Sequence, residues 1–134
     1  MTETQKHIQV TVSRGAFAGN IRALRDMLAP ASLCVVMKSN AYGHGLEALV
    51  PTAVEAGADC LGICTNGEAA VIRRRYPSQR VMRLRAALAD ELEESVERLG
   101  VEEIVGSLPV AEFLSGLGRR RGRPVRRGGR RWRW

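Results

Sequence analysis

Leu33-Cys34-Val35-Val36-Met37-Lys38-Ser39-Asn40-Ala41-Tyr42-Gly43-His44-Gly45 is an apolar run that ends abruptly in one lysine. Small and polar residues follow it, then an aromatic hydroxyl, then two glycines bracketing a histidine. Residues 33–37 are apolar without alternation, the pattern of a strand buried on both faces of a parallel sheet. A lysine at the C-terminal end of such a strand stands where α/β folds gather their loops around one mouth.

Working outward, residues 8–12 alternate apolar and polar and predict a half-exposed strand. Ser13 is placed to cap a helix Arg14–Leu28 carrying Phe17, Ile21, Leu24 and Leu28 on one face. After the lysine loop, a helix over 46–56 buries Leu46, Leu49, Val50 and Val54 and holds Pro51 in its first turns. A second short buried strand over 60–64 leads to a helix from Gly67, with Asn66 as its cap. A third strand over 80–85 carries alternating arginines. Beyond it come an acidic-headed helix over 89–99, a fourth apolar run over 104–106 and a helix over 109–117. The order from Leu33 is β-α repeated four times at about 20 to 25 residues per repeat. That spacing predicts a parallel α/β sheet with right-handed crossovers. It is also the spacing of a (β/α)8 barrel, of which four units are the first half, and periodicity alone leaves barrel and open sheet both standing.

The chain has 134 residues, 45% of them hydrophobic, enough for one domain with a real core. The apolar stretch 46–61 is interrupted by Glu47, Glu55 and Asp59, so no membrane span is expected, and the first six residues lack the apolar core of an export signal. A cytoplasmic location is expected, with a periplasmic one open if the true start lies upstream. Cys34, Cys60 and Cys64 read as small buried thiols in a reducing compartment rather than as metal ligands, since no histidine cluster accompanies them. The net charge of +7 is uneven. Residues 119–134 hold nine arginines and no acid, while residues 1–118 hold 12 basic and 14 acidic residues and carry −2. The expected division is a domain over 8–118 and a disordered basic tail over 119–134.

A lysine at the end of an apolar strand is expected to be partly desolvated, and a neutral amine is the nucleophile required to join a carbonyl or pyridoxal phosphate, so Lys38 is the candidate for that role. Tyr42 can offer its hydroxyl to an anion from the same loop. The Gly43-His44-Gly45 turn opens a helix whose amides can hold a phosphate. The plainer reading makes Lys38 a strand-end lysine reaching solvent and His44 a loop residue.

Val36-Met37-Lys38-Ser39-Asn40-Ala41-Tyr42-Gly43-His44-Gly45 resembles the cofactor motif of the alanine racemase family, fold-type III pyridoxal-phosphate enzymes. Asn20-Ile21, Gly62-Ile63 and Glu68-Ala69 are similar in order and spacing. Met37, the segment 81–85 and Val105-Gly106 look more like the broad-specificity amino-acid racemase branch. The resemblance runs from about residue 8 to residue 125. It implies the first half of a (β/α)8 barrel, pyridoxal 5'-phosphate as cofactor, a homodimer, and interconversion of L- and D-amino acids. Lys38 matches the lysine that carries the cofactor as an aldimine and serves as one acid/base group at the substrate α-carbon. Tyr42 matches the tyrosine that hydrogen-bonds the cofactor phosphate. Arg83 and Arg85 match an Arg-x-Arg pair near the cofactor mouth, against the plainer reading of a solvated strand face.

The chain departs from the family in length, since full-length members continue through the barrel into a β domain that supplies the opposite-face tyrosine from the partner subunit. The tail over 119–134, whose residues 126–134 are rich in Arg, Gly and Trp, is read as a frameshift product ending a truncated racemase that is inactive by itself. Two other readings stand beside it. One is a pyridoxal-phosphate-binding homeostasis protein, against which the Ala-Tyr-Gly-His-Gly loop speaks. The other is a nucleic-acid-binding arm using the tail arginines with Trp132 and Trp134 as stacking groups.

Overall fold

The computed structural model describes residues 8–122. Ser13 accepts a hydrogen bond from the Ala16 amide at 3.2 Å and opens α1 (Arg14–Leu28), as its side chain and position predict. Three parallel strands follow in spatial order: β1 (Cys34–Val36), β2 (Cys60–Ile63) and β3 (Arg80–Arg83). Between them run a short helical segment α2 (Lys38–Tyr42), α3 (Leu46–Glu55) and α4 (Asn66–Arg75). After β3 come α5 (Ala89–Glu94), one π-helical turn Ser95–Leu99, and α6 (Leu108–Arg121).

Register sets the layers. Val35, Leu61 and Val81 stand opposite one another across the strands. With Ile63 they pack against Ile21 of α1, Leu49, Val50 and Ala53 of α3, and Ala69 and Ile72 of α4, forming the main core. A second cluster joins Leu92 and Val96 to Leu114 and Leu117, seating α6 on α5 and the π turn. The result is the parallel α/β architecture expected of the first half of a barrel.

Several expectations shift. Residues 8–12 form no strand, and Ile8 and Val10 stay exposed, because no described segment pairs with them. β1 is not buried on both faces: among the described residues it is an edge strand bonded only to β2, and Val36 is 39% exposed. Pro51 lies in the second turn of α3, and Ala53 is buried where Val54 is only half-buried. The cap of α4 is Thr65, not Asn66. The fourth strand position falls earlier than the run 104–106. Glu102 bridges Met82, donating its amide to Val81 and accepting from Arg83, while Ile104 and Val105 are exposed. Of the three thiols only Cys60 is fully buried. The tail expected from residue 119 begins inside a helix, since α6 continues through Arg121 to Gly122, whose positive φ of 62° ends it. Residues 123–134, with Trp132 and Trp134, lie outside the described residues. Among the described residues no helix is long and apolar enough to cross a membrane.

Candidate functional site

The ladder between β1 and β2 runs one residue past β1, with the Met37 amide donating to the Gly62 carbonyl at 2.7 Å. Met37 is buried and Lys38 emerges half-buried at the carboxyl end of the strand. There the backbone reverses hand. Ser39, Asn40, Ala41 and Tyr42 all have φ near +55°, one turn of left-handed helix built from four non-glycine residues. Each such residue costs about 1–2 kcal/mol relative to a right-handed one, so neighbouring contacts must hold the turn. Strain of this kind concentrates at functional sites.

Two side chains supply the hold. Asn40, a residue tolerant of this conformation, accepts the Leu46 amide on Oδ1 at 2.8 Å and so ties the turn to the start of α3. Glu68 reaches across from α4. Its Oε1 accepts the Ser39 amide at 2.6 Å, while Oε2 accepts the amides of Cys64 at 2.8 Å and Thr65 at 3.1 Å. Burial pushes the Glu68 carboxyl up, but the amides of Cys64, Thr65, Ser39 and Asn40 outweigh it and hold it below the usual carboxylate value.

The turn brings Lys38 and Tyr42 together: the Lys38 Nζ lies 5.6 Å from the centroid of the Tyr42 ring. Tyr42 is 59% exposed. Among the described residues no carboxylate forms an ion pair with Lys38. An unpaired primary amine beside an exposed phenol suits an aldehyde at one end of a ligand and an anionic group at the other. The amides of the glycine turn do not share that role. Those of Gly43, His44 and Gly45 are bonded to carbonyls of residues 39–41, and that of Leu46 to Asn40.

Arg83 and Arg85 stand at the carboxyl end of β3 and find their partners away from Lys38 and Tyr42. Arg83 shares the strand face of Val81, under the helices, and its side chain has no solvent exposure. Its donors go to Glu103, to the Cys64 carbonyl at 2.7 Å and to Asn66 Oδ1. Arg85 lies past the end of β3, partly exposed, and forms two bonds to Glu91. No hydrogen bond or ion pair among the described residues joins either arginine to Lys38 or Tyr42. Sequence reasoning missed Glu68 as the clamp of the lysine turn. The Thr-x-x-Glu spacing of a capping box was its available signal. Glu103 gave none. Among the described residues no group of three or more His, Cys, Asp or Glu side chains could hold a metal ion.

The parallel three-stranded sheet with helices packed on it defines an α/β domain, with Lys38 and Tyr42 together at the carboxyl end of one strand. The chain matches the family model described as alanine racemase, N-terminal domain, over residues 12–127, and it belongs to that family of amino-acid isomerases. It is 39% identical over 120 residues to the broad specificity amino-acid racemase of Aeromonas hydrophila, covering 88% of this chain and 29% of that one. The alanine racemase structure from Streptomyces coelicolor superposes with a TM-score of 0.73 at 33% identity, covering 84% of this chain and 30% of its own. That from Bartonella henselae, which carries covalently bound pyridoxal phosphate, shares the fold at a TM-score of 0.78 and 22% identity, over 85% of this chain and 32% of its own. The chain thus spans under a third of the length of these relatives.

Proposed function

We propose that this chain supplies the lysine-bearing part of a pyridoxal-phosphate-dependent amino-acid racemase site, with Lys38 as the amine that holds the cofactor. The observation that carries the reading is the left-handed turn, which presents the half-buried, carboxylate-free Lys38 amine and the exposed Tyr42 phenol side by side. When bound, the cofactor supplies an electron sink for charge at the substrate α-carbon. Lys38 holds and moves a proton at that carbon, and the Tyr42 hydroxyl donates to the phosphate. Arg85 keeps its guanidinium at the surface, where it can add charge near the mouth; Arg83 supports the site from beneath the helices. The 39% identity to a protein named broad specificity amino-acid racemase supports a substrate range wider than alanine. Homodimerisation belongs to the same proposal, and three free thiols suit a reducing compartment.

The sequence contains two lysines, Lys6 and Lys38, which makes the test clean. The purified chain is mixed with pyridoxal phosphate, reduced with borohydride and mapped by peptide mass. Label on the Lys38 peptide, lost in Lys38→Ala, is the expected result; label confined to Lys6 overturns the proposal. Inversion needs a second acid/base group on the opposite face of the substrate. The 134-residue chain assayed alone is therefore expected to label without interconverting L- and D-amino acids.

A further inference from the structure

We propose that Glu68 is a positioning residue for Lys38: its carboxylate fixes the left-handed turn Ser39–Tyr42 and through it the direction of the lysine amine. The functional half of this inference rests on the racemase reading above.

Glu68 is the third residue of α4, and a capping box asks little of it. One carboxylate oxygen returned to the Thr65 amide completes the box, and Oε2 already does this while also accepting from Cys64. The other oxygen points away from the helix and takes the Ser39 amide at 2.6 Å, from a residue 29 positions away in sequence. One carboxylate thus gathers amides from the loops that leave β1 and β2. It does so at the junction where the chain passes from Lys38 into the unfavourable hand. Ser39 is the first residue with positive φ, and its peptide group is shared with Lys38, so holding that amide sets the base from which the four-carbon lysine stem projects. The geometry also keeps the negative charge occupied with backbone amides, leaving the lysine amine without a carboxylate partner. A charged acceptor on three amides is worth more than neutral ones, and misplacing a reacting amine by about 1 Å costs on the order of a hundredfold in rate.

The test compares four proteins: wild type, Glu68→Gln, Glu68→Asp and Thr65→Ala. Glutamine has one acceptor oxygen and sets an NH2 against amides that need an acceptor. Aspartate keeps a charge at the helix start but withdraws it from Ser39, and it serves if the glutamine variant fails to fold. Thr65→Ala removes the hydroxyl that accepts the Glu68 amide at 3.2 Å and weakens the same helix start without touching the carboxylate. Two quantities are read: the rate of pyridoxal phosphate capture at Lys38, and hydrogen exchange of the Ser39 amide. Expected are a capture rate lower by about tenfold or more and Ser39 exchange faster by a similar factor in both Glu68 variants. Thr65→Ala should stay within about twofold on both readouts. Unchanged Ser39 exchange in the Glu68 variants overturns the inference, and so does an equal loss in Thr65→Ala, which would mark a general helix effect. If wild-type Lys38 captures no cofactor, the racemase reading fails, and Ser39 exchange then decides the clamp by itself.

Discussion

Arg83 and Glu103 meet with both side chains wholly removed from solvent, the guanidinium Nε lying 2.9 Å from one carboxylate oxygen and 3.2 Å from the other. The pair is the hub of a closed polar network. Arg83 also donates to the Cys64 carbonyl and Asn66, and Glu103 also accepts the Ser95 hydroxyl. The network joins β3 to the end of β2, the start of α4 and the π turn, and no buried side-chain polar atom of the described residues is left without a partner. A buried pair of this kind contributes little net stability compared with well-packed apolar residues, but halving it strands a charge. Arg83→Met is expected to lower the unfolding free energy by about 3–5 kcal/mol. Arg83→Met combined with Glu103→Leu should recover most of that. Urea denaturation of the single and double variants measures the difference, and a double variant as weak as the single would contradict the account.

Acid should loosen the corner where α5 meets β3. The hydrogen bonds from Arg85 draw the Glu91 carboxyl down to about 2 from an ordinary 4.5, against an opposing push from burial. A carboxylate whose pKa is lowered by folding stabilises the folded form above its unfolded value. The Glu91 contribution is therefore complete above about pH 4.5 and is lost as pH falls from there towards 2. Arg85→Met should bring the Glu91 carboxyl back up, visible in its carbon NMR titration, and flatten stability across that interval.

The lysine turn has a second anchor that can be removed separately. Asn40→Ala deletes the acceptor for the Leu46 amide and replaces a residue suited to left-handed backbone by one that is not. The expected cost is about 1–2 kcal/mol. Asn40→Asp, which keeps the acceptor oxygen, should cost less, with thermal melts ranking wild type above Asp and Asp above Ala.

What could be read from the sequence was whatever obeys a local period. The apolar face of α1, its cap at Ser13 and the runs that became β1 to β3 all carry local signals, and they placed the elements within a few residues. The Lys38 motif was legible for another reason, since chemistry fixed its composition. What escaped was set by distant partners. Nothing in Ser39-Asn40-Ala41-Tyr42 announces a left-handed turn, because the contacts that offset its cost come from Glu68 and the start of α3. Residues 8–12 have the alternation of a strand, yet a strand exists only when something pairs with it. The fourth apolar run misled because Glu102 and Glu103, the acidic residues just before it, are the ones drawn inside by Arg80 and Arg83.

Gly62, in the middle of β2, marks a close approach between the sheet and a neighbouring side chain. It stands in register between Val36 and Met82, and a Cβ added there would lie 2.6 Å from Leu84 Cδ1 and 3.3 Å from Cys34 Sγ. Both are side-chain atoms, and the leucine methyl is the far end of a half-buried chain that can rotate. Against that crowding, replacing a strand glycine lowers the entropy of the unfolded chain by about 0.4–1 kcal/mol. The two effects nearly cancel for one methyl group, so Gly62→Ala is expected to cost about 1 kcal/mol or less. Two further methyl groups have no such offset, and Gly62→Val should cost about 1–3 kcal/mol more through overpacking. Leu84→Ala vacates the space that the new side chain needs. It should therefore narrow the gap between the Ala and Val variants in urea denaturation, and an unchanged gap would show that the obstruction comes from Cys34 instead.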